Sequence, residues 1–316
     1  MTNTSGTLSV MVEKTDIDFS GNTMSRALTA YSATDAKNAS WNLVGNMHPC
    51  YFDISQMGYT APITVWNGSS YVAKRASDDQ YSLSPFQAFF VQKPSNVNSV
   101  SFPSAGRYTK TQWDNYVASQ QSSVKGLHAP VHSERAIVNL TIDNGEDVVD
   151  ETRVVFNAAT STDYEMDCDA AKFMSDQPVP QLYTLGEDGT QYAINERPAG
   201  KVTLCYVAPS DGELSISAPR MDQPVYLQDN VLGITHDLSL GAYIFTTEAG
   251  TFEDRFVLCL NNPTTGIADM SDEIVNGKAA NDQWFDLQGR QHNGAHLPKG
   301  VYVVKSGAKA TKVVKQ

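Results

Sequence analysis

The sequence predicts an all-β protein, with two antiparallel β-sandwich modules of immunoglobulin-like or jelly-roll type followed by a short β tail. Short β-prone runs recur along most of the chain, and Gly, Pro, Asn and Asp punctuate them. The crossover helices that a parallel sheet needs are missing from the pattern. Charged residues make up only 18% of the chain, and Ser, Thr, Asn and Gln take their place, as in many secreted β proteins.

The first module, residues 1–106, is organised around the stretch Trp41 to Pro94. There strand runs at Ile63 to Trp66, Tyr71 to Ala73 and Ala88 to Gln92 alternate with turns at Asn67-Gly68-Ser69, Asp78-Asp79 and Ser84-Pro85. Ala88 to Gln92 carries aromatics on both faces and is predicted to be a central strand. An alternating run at Thr7 to Val12 is expected to add a further strand, its missing partner suggesting that the natural chain begins upstream. Residues 107–132 have linker composition with a short helix around Trp113 to Ser119, and the domain boundary is placed there.

The second domain, residues 133–262, opens with a hairpin. Ala136 to Ile142 and Thr152 to Phe156 flank Asp143-Asn144-Gly145, a strong turn signal. Further strands are expected at Gln181 to Leu185, Gln191 to Ile194, Val202 to Val207, Glu213 to Ser217, Val225 to Gln228, Tyr243 to Thr247 and Arg255 to Leu260. Between them, Ala170 to Met174 reads as a short capped helix. Residues 263–316 form a polar, acidic linker and then hairpin strands around Trp284 to Arg290, Leu297 to Val304 and Ala308 to Lys315, too few to stand alone.

The net charge of −12 argues against a nucleic-acid partner, which would need clustered Lys and Arg. No apolar run is long enough to span a membrane as a helix. Cys50, Cys168, Cys205 and Cys259 lie far apart without metal or redox spacing, and they read as buried thiols; Cys205 and Cys259 would pair only if their strands are neighbours. His128 and His132 flank Pro130, and His292 and His296 enclose a turn, so both pairs read as loop residues.

Two acidic clusters offer oxygen donors of the kind calcium takes, Asp143 with Asp147 and Asp167 with Asp169. Neither matches an EF-hand loop, and no cofactor is expected. Serine-hydrolase, zinc-protease and phosphate-loop motifs are absent from the sequence, and no catalytic residue is assigned. Trp66 and Tyr71, which flank the Asn67 to Ser70 turn, and Trp113 are the candidates for stacking on a glycan.

Two sets of segments carry a family resemblance. WNLVGNMHPCYFDI, ITVWNG, YSLSPFQAFFVQ, ETRVVFN, YEMDCDAAKFMS and GTFEDRFVLCL resemble the C-terminal β modules of large secreted Bacteroidota proteins. The tail WFDLQGRQHNGAHLPKGVYVVKSGAKATKVVK resembles the sorting domain recognised by the type IX secretion system. The resemblance implies a sorting signal at Gly289, Arg290, Lys299, Gly300 and Tyr302, with the secretion machinery as partner and an extracellular or cell-surface address. The resulting expectation is a non-catalytic accessory or anchoring region, adhesin-like, whose further partner is a glycan or another surface protein. A carbohydrate-binding module is the alternative, and a polysaccharide-degrading enzyme with dispersed carboxylates ranks below both.

Overall fold

The computed structural model describes residues 23–123, 135–145, 148–260, 283–286, 290–292, 300–306 and 309–315. The strand expected at Thr7 to Val12 lies outside them, as do His128, His132 and His296. The all-β class expected from the sequence is the class the chain has, and it divides into two units, Met1–Pro263 and Thr264–Gln316.

Nine strands build the first part of the larger unit: β1 (Met24–Ala27), β2 (Trp41–Gly45), β3 (Tyr51–Asp53), β4 (Ile63–Trp66), β5 (Tyr71–Lys74), β6 (Ser82–Leu83), β7 (Ala88–Gln92), β8 (Ser99–Phe102) and β9 (Arg107–Tyr108). They pair as three small sheets, β1-β8, β2-β7-β4-β5 and β6-β3-β9. β7 is central, as its aromatic residues predicted: Phe89 and Val91 enter a core with Phe52, Ile54, Tyr59 and Phe102, while Phe90 faces the other way. Packing in this core is tight at Gly106, where an added Cβ would lie 2.5 Å from the Phe52 ring.

The helix of the linker segment is longer than expected. α1 runs from Lys110 to Ser123 and starts on a reciprocal cap: Gln112 N–H donates to Thr109 Oγ1, and Thr109 N–H donates to Gln112 Oε1. Its Trp113 is buried against Tyr108 and Tyr116.

The second part contains β10 (Arg135–Asp143), β11 (Val148–Asn157), β12 (Ala170–Ala171), β13 (Gln181–Leu185), β14 (Gln191–Arg197), β15 (Val202–Ala208), β16 (Gly212–Met221), β17 (Tyr226–Asp229), β18 (Ile234–Asp237), β19 (Tyr243–Thr247) and β20 (Gly250–Cys259). All join one sheet in the order β18-β17-β20-β15-β13-β14-β11-β10-β16-β19, with β12 on β14. The sheet curls until its two ends enclose a common core, into which Leu227 of β17, Phe245 of β19, Phe256 and Val138 all point. Tyr243 Oη of β19 donates to Asp229 Oδ2 of β17 at 2.9 Å across that closure. The sheet thus closes toward a barrel around one core, and within it β11 and β14 run parallel to each other.

Two details depart from expectation. Ala170–Ala171 form a strand, not the start of a helix, because small side chains let this segment lie close on β14 beside Ile194. β18 carries no strong alternation in the sequence; pairing with β17 creates it. β15 and β20 are neighbours, but their register sets Val202 opposite Leu258, which separates Cys205 from Cys259 along the ladder, and all four cysteines are free.

The two parts of the larger unit meet along the outer face of β5 and the loop after it. One half of this junction is apolar, with Ala73 packed on Ala170, Ala193 and Ile194. The other half is charged. Arg135 donates two hydrogen bonds to Asp78 at 2.6 and 2.7 Å and two to Glu196 at 2.9 Å. Arg153 donates to Asp79, Arg75 donates to Glu196, and Arg220 Nη1 reaches the Asp78 carbonyl at 2.9 Å. Every one of these links except Arg135 with Glu196 crosses the junction, so the loop Arg75 to Asp79 is clamped onto the large sheet.

The smaller unit holds β21 (Gln283–Phe285), β22 (Gln291–His292), β23 (Gly300–Ser306) and β24 (Lys309–Lys315), in the antiparallel order β22-β21-β23-β24.

Candidate functional site

Trp66 and Tyr71 face each other across the β4-β5 hairpin, as two residues flanking a tight turn must. Their ring centroids are 4.9 Å apart at 62°, so they form an edge-to-face pair and not a coplanar platform. The turn between them is closed on itself: Asn67 Oδ1 accepts from the backbone of Ser69 and Ser70 at 2.9 and 2.8 Å. Its polar groups serve the turn. Trp113 does not join this pair, because α1 holds it against Tyr108 and Tyr116.

Tyr71 instead leads inward along a series of rings. Phe173 lies 5.7 Å from Tyr71, 5.2 Å from Phe90 and 4.7 Å from Trp41. Phe173 follows β12 of the large sheet, whereas the other three belong to the β2-β7-β4-β5 sheet. The aromatic series therefore spans the junction and ends at Trp41, beside a cleft of about 270 Å³. Lys37, Asn38, Trp41, Phe173, Gly189 and Gln191 are among the residues lining it.

The loop carrying Asn38 is fixed from below. Gln92 is buried, and its amide donates to the carbonyls of Ala36, Lys37 and Ala39 at 3.0, 3.3 and 2.9 Å, while its Oε1 accepts from Tyr164 Oη. Trp41 Nε1 donates to the Lys37 carbonyl at 2.8 Å, which sets the indole. On the far side, Lys37 Nζ donates to Thr190 Oγ1 at 3.0 Å, and Thr190 is held by Asp188. No sequence motif marks these residues; three segments, 37–41, 171–173 and 189–191, make the cleft, the first more than a hundred positions from the others.

The carboxylates behave in three ways. At the charged half of the junction, burial opposes ionisation of Asp78 and Glu196, but hydrogen bonds and charge from Arg135 outweigh it and hold both below the usual carboxylate range. Asp150 is different. It is fully buried with Lys172, 2.5 Å away, and burial raises its pKa despite that lysine and the Leu182 N–H; Asp150 Oδ1 has no partner among the described residues. Asp169 has no cation on it among the described residues, and burial pushes it up to about 7 although the N–H groups of Glu165 and Glu196 donate to it.

The acidic pairs singled out for calcium are arranged for other contacts. Asp143 accepts from Gly145 N–H and from Ser215 Oγ at 2.9 and 2.8 Å, and Asp147 lies outside the described residues. Asp167 is exposed while Asp169 points inward. Among the described residues no group of three or more His, Cys, Asp and Glu converges to hold a metal.

Of the residues assigned to sorting, Gly289 and Lys299 fall outside the described residues. Arg290 Nε donates to Asp286 Oδ2 at 2.7 Å, and His292 Nε2 lies 2.9 Å from the same oxygen. These contacts hold the Asp286 carboxyl well below its usual range, the His292 hydrogen bond most of all. Gly300 opens β23, and Tyr302 is buried against Trp284 and His292.

Residues 46–260, more than half the chain, match the family model described as Domain of unknown function (DUF8693). The chain belongs to this family. The DUF8693 match runs through both parts of the larger unit and across their junction, and it stops before the smaller unit. It also begins after Asn38 and Trp41, so one wall of the cleft lies outside it. No curated protein and no solved structure matches the chain. Among the described residues, no helix is long and apolar enough to cross a membrane.

Proposed function

We propose that this chain is a non-catalytic, extracellular accessory region of a secreted or cell-surface protein, adhesin-like, whose work is to carry, space and anchor. The observation that carries this reading is the clamp at the junction. Arg75, Asp78, Asp79, Arg135, Arg153 and Glu196 tie two β parts into one body, with buried, multiply bonded charges where a mobile linker would leave solvated ones. A body of this kind transmits position and force between its ends. The tail, with its resemblance to type IX sorting domains, supplies the address.

The test has two arms. A fluorescent protein fused upstream of the full chain is expressed in a Bacteroidota host with type IX machinery; surface or extracellular fluorescence is expected, and truncation after Pro263 should retain it inside. Equal distribution of both fusions would remove the sorting role. In the second arm, residues 23–260 are stretched by atomic force microscopy. One unfolding event is expected, and two independent events would remove the rigid-spacer role.

A further inference from the structure

We infer that the cleft between Trp41 and Gln191 is a binding site for one terminal residue of a neutral glycan chain. This goes beyond the spacer role and fails separately from it. Its chemistry is that of sugar recognition: aromatic rings to meet C–H faces, and carboxamides to meet hydroxyls. Trp41 and Phe173 supply the rings, 4.7 Å apart and tilted by 59°. Asn38 and Gln191 supply the amides, and neither side chain makes a hydrogen bond among the described residues. Each amide therefore presents a donor and an acceptor to whatever enters.

Three further features narrow the ligand. The volume of about 270 Å³ lies just under the usual range for small-molecule pockets, room for a single ring and not for a buried chain. Tilted rings do not offer the flat surface on which a crystalline polysaccharide lies. Both lysines that line the cleft are engaged, Lys37 with Thr190 and Lys172 with Asp150, and the protein carries a net charge of −12. Lys37 also lies close enough to Asp188 to lower its pKa by charge, so an acidic sugar would meet a cation already facing a carboxylate and a repulsive field around it.

The site is preformed as well as suitably lined. Gln92 fixes the Asn38 loop through three carbonyls, and the Lys37 to Thr190 bond fixes the distance between the two walls. The backbone of the walls is set before binding, which leaves the Asn38 and Gln191 side chains as the groups that a ligand must order. Gly189, with φ at +78°, keeps the rim of the opposite wall free of a side chain. The exposed Trp66, by contrast, sits at the far end of the aromatic series and takes no part.

The test is equilibrium binding of the full chain to soluble oligosaccharides of glucose, mannose, xylose and galactose, followed by calorimetry and tryptophan fluorescence. Wild type is compared with the double variant Asn38→Ala/Gln191→Ala and with Trp66→Ala, with circular dichroism confirming that each is folded. At least one oligosaccharide is expected to bind, the double variant weakening it about tenfold or more and Trp66→Ala leaving it within about twofold. Absence of binding to the whole panel overturns the proposal, and so does binding that survives the double variant. Loss confined to Trp66→Ala also overturns it and moves recognition to the open face of the sheet.

Discussion

Asp150 and Asp78 are both buried carboxylates facing a cation, yet their environments act in opposite directions. Asp78 sits in the junction with both oxygens bonded to Arg135 and with Arg153 close by, and it is held ionised. Asp150 lies inside the large sheet with one lysine and one N–H on the same oxygen, and its other oxygen is left without a partner among the described residues. Burial alone does not decide a carboxylate's state. What decides it is how many donors the fold aims at both oxygens, and a forked guanidinium supplies more of them than an ammonium.

The largest expected effect breaks the weaker arrangement. Lys172→Met strands Asp150 in the core and should cost about 3–5 kcal/mol in urea denaturation, whereas the double variant Asp150→Leu/Lys172→Met should recover most of that loss. A double variant no better than the single one would mean that the pair contributes attraction beyond mutual neutralisation. Next comes Asp78→Asn, which removes charge from the clamp while Arg135 keeps Glu196; about 2 kcal/mol of destabilisation is expected by the same measurement. If both substitutions cost the same, the contrast drawn between the two sites is wrong.

Varying pH sharpens the contrast without removing an atom. Asp78 and Glu196 have lowered pKa values in the fold, so their stabilisation is complete above about pH 5 and is lost as pH falls through the folded values. Asp169 has the reverse sign. With a folded value of about 7, it binds its proton in the fold when the unfolded chain has released it, and stability drawn from it declines as pH rises. Its share of that slope should be on the order of 1 kcal/mol per pH unit between about pH 4 and 7, and Asp169→Asn should flatten it in melts taken across that range. Smallest of all is Lys110→Ala. Its exposed pair with Asp114 on α1 is open to solvent, and no measurable change in Tm is expected.

Local signals in the sequence reached the strands and stopped at the junction. The Asp143-Asn144-Gly145 turn gave the β10-β11 hairpin, and the aromatic run of Ala88 to Gln92 gave a central strand, because both depend on neighbours in sequence. Trp66 and Tyr71 came out paired for the same reason. Trp113 shares only its residue type with them, and a capped helix holds it elsewhere. The clamp could not be read in this way. Asp78 meets Arg135 at a separation of 57 residues and Arg220 at 142, and nothing in RASDD distinguishes a clamped loop from a solvated one. The cleft is equally hidden, since Asn38 and Gln191 are ordinary polar residues until three distant segments meet.

Those separations also set an order of events in time. The loop Arg75 to Asp79 leaves the ribosome long before Arg220 does, so the first β part can collapse on its own core while the acidic loop still faces water. The last link of the clamp, from Arg220, can form only once β16 has been made and has paired with β10. Contacts made after the transition state govern how fast a protein comes apart more than how fast it assembles. Where the junction links form after that point, its arginines act chiefly as a brake on unfolding.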